Sequence, residues 1–151
     1  FQLVMNRGHY YLVGNHENYD DMSTLRVDRI AHITVLNERR KPLREIKGYQ
    51  QQRTFNVSQY VKEHIYMFGG ESITVSFKAK RSIVNQILDW FDGNVEFTDV
   101  TPDDVVCRVR VNHHAFKYWA LQYMQSVKVL SPASLVTEVK EAIKEGLQQY
   151  S

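Results

Sequence analysis

The chain has 151 residues, 43% of them hydrophobic and 24% charged, a formal net charge of +2 and one cysteine, Cys107. The lone cysteine excludes an intrachain disulfide, and no apolar run approaches the roughly 20 residues of a membrane-crossing helix. So small a positive excess does not by itself argue for nucleic acid, and with no export signal the expected compartment is the reducing cytoplasm.

The first half reads as short strands. "FQLVMNRGHYYLVG" holds two β-rich runs around the hairpin turn Asn6-Arg7-Gly8. A polar loop, His16 to Asp21, leads to a strand over Met22 to Val27, and "IAHITVL" predicts another from Ile30 to Leu36. Small strands in this succession suggest a barrel-like β domain. The positive charge is concentrated here, with nine Lys/Arg against six Asp/Glu up to Arg53. Its densest part is "NERRKPLREIKG", carrying Arg39, Arg40, Lys41, Arg44 and Lys47, which is either a solvated loop or an anion-facing patch. "FNVSQYVKEHIYMF" predicts a short helix capped by Asn56, with Val57, Tyr60, Val61 and Ile65 as its apolar stripe. Gly69-Gly70 marks a boundary between a domain over 1–68 and another over 71–151.

The second half alternates cleanly. "ESITVSFKA" places Ile73, Val75 and Phe77 on one strand face, and "SIVNQILDWF" sets Ile83, Val84, Ile87, Leu88 and Phe91 at helical spacing. "NVEFTDV" and "DVVCRVRVN" are strands around the turn Thr101-Pro102-Asp103. "AFKYWALQYM" is a helix with Phe116, Trp119, Ala120 and Tyr123 inward, followed by the strand "SVKVL". A closing helix starts with Ser131 as N-cap and Pro132 at the first helical position, and carries the stripe Leu135, Val139, Ile143, Leu147 and Tyr150. The order β-α-β-β-α-β with a terminal helix is that of a ferredoxin-like domain, so the fold class is α+β.

Catalytic and metal-binding patterns are weak. Gly69-Gly70 lacks the Lys and Ser/Thr of a phosphate loop. His113 and His114 are adjacent, and on a strand they face opposite ways, so they do not chelate one metal. Cys107 shares its strand face with Val105 and Val109 and reads as a core thiol. The pairs Asp20-Asp21 and Asp103-Asp104 fall in turns, where solvation or capping accounts for them. The outward residues of the two central strands, Thr74, Ser76 and Lys78 with Val106, Arg108 and Arg110, include no aromatic on which a base would stack.

The arginines of "LRVDRI" carry more information. Leu25 and Val27 are expected to point into the core, which sends Arg26 to the opposite face, and the alternation breaks near Arg29, suggesting a bend that turns it toward the same site. Two planar guanidinium forks can grip one anion. Alternatively, Arg29 pairs with Asp28 or Asp21 and only pins the loop.

"GHYYLVG", "LRVDRI" and "YVKEHIYMFGG" resemble the WYL domain of bacterial transcriptional regulators, with Tyr10-Tyr11-Leu12 where the name-giving Trp-Tyr-Leu stands. The part through "SVKVLSPASLVTEVKEAI" resembles the WCX extension that follows it. The resemblance implies an Sm-like or SH3-like β-barrel, incomplete here because Phe1 falls inside it, followed by the ferredoxin-like domain. It implies no catalysis and no cofactor or metal. The expected role is an effector sensor and homodimer controlling a helix-turn-helix DNA-binding domain outside this chain. The expected effector is anionic, a nucleotide-like molecule or single-stranded nucleic acid, with Tyr11, His16, Arg26 and Arg29 as its binding residues. Tyr11 stacks on it or donates a phenolic hydrogen bond unless it is a core aromatic, and His16 donates at the pocket rim unless it is an ordinary solvated histidine. Tyr10 in place of tryptophan, and Ser23 where many members carry a basic residue, depart from the pattern. A structural dimerisation module without ligand is the alternative.

Overall fold

The computed structural model describes residues 1–151, which divide into two compact units. The first comprises Phe1–Val61 and Met67–Glu71; the second comprises Lys62–Tyr66 and Ser72–Ser151.

In the first unit, β1 (Gln2–Asn6), β2 (His9–Asn15) and β3 (Met22–Arg26) form an antiparallel sheet in that order. The β1–β2 hairpin closes on two residues, with Asn6 opposite His9 and both Arg7 (φ 48°) and Gly8 (φ 81°) in the left-handed region. That is the twist a two-residue hairpin loop favours, and Gly8 adopts it without the Cβ penalty that Arg7 bears. Val4, Val13 and Met22 are buried against Ile46, Tyr60 and Met67, and these six residues are the core of the unit. Asn56 caps α1 (Val57–Glu63) as expected, its Oδ1 accepting from Gln59 N at 3.0 Å. The predicted apolar stripe divides: Val57, Tyr60 and Val61 join the first core, whereas Ile65, beyond the helix end, belongs to the second.

Two expectations fail in this unit. The sheet is open, where a small barrel is expected, because only three strands pair and a closed barrel needs more. The segment Ile30–Leu36 forms no ladder, and Ile33, Val35 and Leu36 are 74%, 94% and 64% exposed. Its β-branched alternation favours extended backbone, but a strand exists only with a hydrogen-bonded neighbour.

The second unit is a four-stranded antiparallel sheet, β5 (Val95–Val100), β6 (Asp104–Asn112), β4 (Ser72–Lys80) and β7 (Val127–Ser131) in spatial order, with α2 (Val84–Phe91), α3 (His113–Gln122) and α4 (Ala133–Gln148). The β-α-β-β-α-β order is as read from the pattern. Val75, Phe77 and Ala79 face the core from β4, opposite Val109, Cys107 and Val105 of β6. Phe77, Phe91, Phe116 and Trp119 form an aromatic cluster with centroids 4.8–6.1 Å apart. Such tilted and edge-on pairs stabilise beyond the area they bury.

Helix boundaries bring two corrections. Asn112 caps α3, its Oδ1 accepting from Ala115 N at 3.0 Å, so His113 and His114 open a helix and do not end a strand. Their rings lie 5.5 Å apart, and His113 Nε2 meets Glu138 Oε1 at 2.9 Å. At α4 the cap is Pro132, with no side-chain hydrogen bond, and Ser131 completes β7. The sheet takes Ser131 because its backbone continues the ladder beside Ser76.

Candidate functional site

Cross-strand register assembles the site. Tyr11 on β2 lies directly opposite Arg26 on β3 and Val4 on β1, so Arg26 shares a face with the buried Val4 and Val13. The expected orientation was the reverse. Leu25 and Val27 are 39% and 37% exposed, since the inward positions of β3 are the even ones, Met22, Thr24 and Arg26. Thr24 shares a 2.9 Å hydrogen bond with the buried Tyr60 hydroxyl, which fixes this face against α1.

Val27–Arg29 is a single 3-10 turn, the bend expected before Ile30. It brings Asp28 back onto Arg26: Nε donates to Oδ1 at 2.7 Å and Nη2 to Oδ2 at 2.8 Å. This bidentate pair is the tie envisaged for Arg29, made by Arg26. The Arg26 guanidinium holds the Asp28 carboxyl below the usual carboxylate range, chiefly through that hydrogen bond, and Asp28 in turn raises Arg26. Of the five N–H donors of a guanidinium, two are thereby engaged and three remain. Arg29, in the same turn, is exposed and enters no salt bridge.

His16 is not brought to these residues. It follows β2 five positions after Tyr11, roughly 16 Å along an extended strand. Its Nδ1 accepts from Asn18 N at 3.2 Å, and its ring lies 5.7 Å from that of Tyr19. Asn15 closes the same loop by donating to Tyr19 O at 2.7 Å and Asp21 O at 2.8 Å. Tyr10, one residue from the site, points the other way and is 55% exposed.

The second unit offers no competing chemistry. Cys107 is fully buried, and desolvation pushes its thiol up to about 11, so thiolate is scarce at neutral pH. On the open face of the sheet, Lys78 pairs with Asp104 at 2.6 Å and Arg110 with Glu63 at 3.4 Å. No group of three His, Cys, Asp or Glu side chains is placed to hold a metal ion. No helix is long and apolar enough to cross a membrane.

The WYL domain family matches residues 1–35, and the WCX domain family matches residues 69–147, just over half of the chain. The chain belongs to the WYL–WCX family. These are transcriptional regulators and not enzymes. Tyr11, Arg26 and Arg29 thus lie in the WYL match, and Cys107 and the aromatic cluster in the WCX match. No curated protein matches the chain. Among solved structures, proteasome accessory factor B/C (PafBC) of Arthrobacter aurescens is similar at 21% identity with a TM-score of 0.49, over 99% of this chain. The chain spans 22% of that protein's length.

Proposed function

We propose that this chain is the effector-sensing and oligomerisation region of a cytoplasmic transcriptional regulator, with a WYL sensor over 1–68 and a WCX extension over 71–151. The effector is anionic, either nucleotide-like or a short single strand of nucleic acid, and DNA is read by a domain outside this chain. The juxtaposition of Tyr11 with Arg26, and Arg29 one short turn on, carries the reading. The phenol ring offers a face or a hydroxyl to a flat group while the guanidinium forks take its charge. Asp28 makes the site selective, because an entering anion must outcompete a carboxylate or use the three donors that remain. The exposed segment Ile30–Leu36, with no ladder partner, offers apolar side chains and unpaired backbone to a second copy for homodimer formation.

Control follows from population shift: a ligand that binds one arrangement of a dimer better than another biases the attached DNA-binding domains by its differential affinity. A second reading, a dimerisation module without ligand, is favoured by the Arg26–Asp28 pair, which suffices to pin the turn. A binding screen with mononucleotides and single-stranded oligonucleotides separates the two. Binding by the wild-type chain that is lost in Arg26→Ala/Arg29→Ala supports the sensor; the absence of any binding supports the module.

A further inference from the structure

The first unit contains a cleft of about 630 Å³ at the end of the sheet remote from Arg26. Its volume falls within the range of small-molecule sites, which is roughly 300–1,000 Å³. Val13, Met22 and Ile46, all buried, line it together with Phe55, and three cations, Arg40, Lys41 and Arg53, stand around it with no carboxylate among the lining residues.

The walls are held in place. The Phe55 ring packs between Tyr49 and Tyr60 at centroid distances of 5.6 and 5.3 Å. The basic run that carries Arg40 and Lys41 is anchored just downstream, where Leu43 packs on the core, Ile46 is buried within it, and Lys47 N donates to Asp20 O at 2.7 Å. Lys41 Nζ is directed to Asn15 Oδ1 at 3.4 Å, while Arg40 and Arg53 are exposed and enter no salt bridge. A run free in solvent needs no such anchors, and the two arginines keep their donors available.

We infer that this cleft is a second ligand site, which takes a small organic anion: a carboxylate or phosphate monoester on an apolar, aromatic body. The apolar side chains accept the body, while Arg40 and Arg53 among the lining residues hold the charge. The cleft lies further along the face that carries Tyr11 and Arg26: Val13, two residues from Tyr11 on β2, bounds it on the near side, and Asn15, four residues from Tyr11 and roughly 13 Å along the strand, on the far side.

Calorimetric titration of the chain with phenyl phosphate, benzoate and inorganic phosphate tests this. Phenyl phosphate, benzoate or both should bind at least tenfold more tightly than inorganic phosphate. Arg40→Ala/Arg53→Ala should weaken that binding tenfold or more, and Arg26→Ala/Arg29→Ala should leave it within twofold. Both arginines are exposed, and an unchanged melting curve verifies that the variant folds. Equal affinity for inorganic phosphate would reduce the site to a cationic surface, and no saturable binding of either aromatic acid would overturn the inference. Binding lost only in Arg26→Ala/Arg29→Ala would also overturn it while supporting the sensor proposed above; the reverse pattern would leave the cleft standing without that sensor.

Discussion

The apolar stripe of α4 supplies a test in which one substitution is read at two depths. Leu135 is fully buried and Val139 is 9% exposed, but Ile143, Leu147 and Tyr150 rise to 39%, 68% and 92%. Val139→Asp places a carboxylate where no cation is paired to it in the fold. Burying a charge without a partner costs several kcal/mol, about 3 for a site this enclosed. For a domain of this size each kcal/mol moves Tm by roughly 4–8 °C, so a fall of about 12–24 °C is expected. Leu147→Asp should change stability by no more than about 0.5 kcal/mol. Thermal melts by circular dichroism at neutral pH measure both. The deficit of Val139→Asp should also shrink toward pH 4: burial raises the folded-state pKa of the new carboxyl, the native state then binds the extra proton, and stability falls as pH rises. A Val139→Asp Tm within a few degrees of wild type, or a Leu147→Asp loss as large, would refute the assignment of this helix face to the core.

Three further outcomes are expected. Self-association through Ile30–Leu36 should weaken in Val35→Asp, seen as a lower sedimentation coefficient at high concentration; a wild-type chain that stays monomeric there would count against it. Cys107 should resist iodoacetamide at pH 8 in the folded protein and react in denaturant, because its thiol lies near 11; equal rates would contradict its burial. Glu138 is held below the usual carboxylate range, chiefly by its hydrogen bond with His113, so its contribution is present above the unfolded carboxylate pKa and is lost as pH falls through the lower folded one. Glu138→Gln should therefore flatten the acid side of the Tm profile, and identical acid limbs would show that the pair adds nothing.

The WCX half was legible because its central strands, β4 and β6, bury one face, so Val75 and Phe77, or Cys107 and Val109, declare themselves by alternation. Asn112 was readable too, as an Asn three residues before a helical alanine, but the β-rich run ahead of it masked the cap. The WYL half was harder for physical reasons. In a three-stranded sheet with a six-residue core, Leu25 and Val27 stay partly exposed, so hydrophobicity misassigned the face of Arg26. Only the pairing of Val13 with Thr24 and of Tyr11 with Arg26 sets that face, and pairing is not written in one strand alone. Ile30–Leu36 has a strand's composition without a partner. The Arg26–Asp28 tie joins residues two apart, which share a face on an extended strand, and the 3-10 turn over Val27–Arg29 draws them into the bidentate contact that was expected of Arg29.

The central claim is that Tyr11, Arg26 and Arg29 form an anion site, and titration of a fluorescent single-stranded oligonucleotide and a mononucleotide at two salt concentrations tests it most directly. Charge-assisted hydrogen bonds contribute roughly 1.5–3 kcal/mol, so Arg26→Ala or Arg29→Ala should weaken binding about tenfold to a hundredfold. Melting curves of both variants should stay close to wild type. Affinity should fall with salt, more steeply for the oligonucleotide, which releases more counterions. Binding that is independent of salt, or that survives Arg26→Ala/Arg29→Ala while stability drops, would contradict the sensor and leave the arginines as ties of the turn.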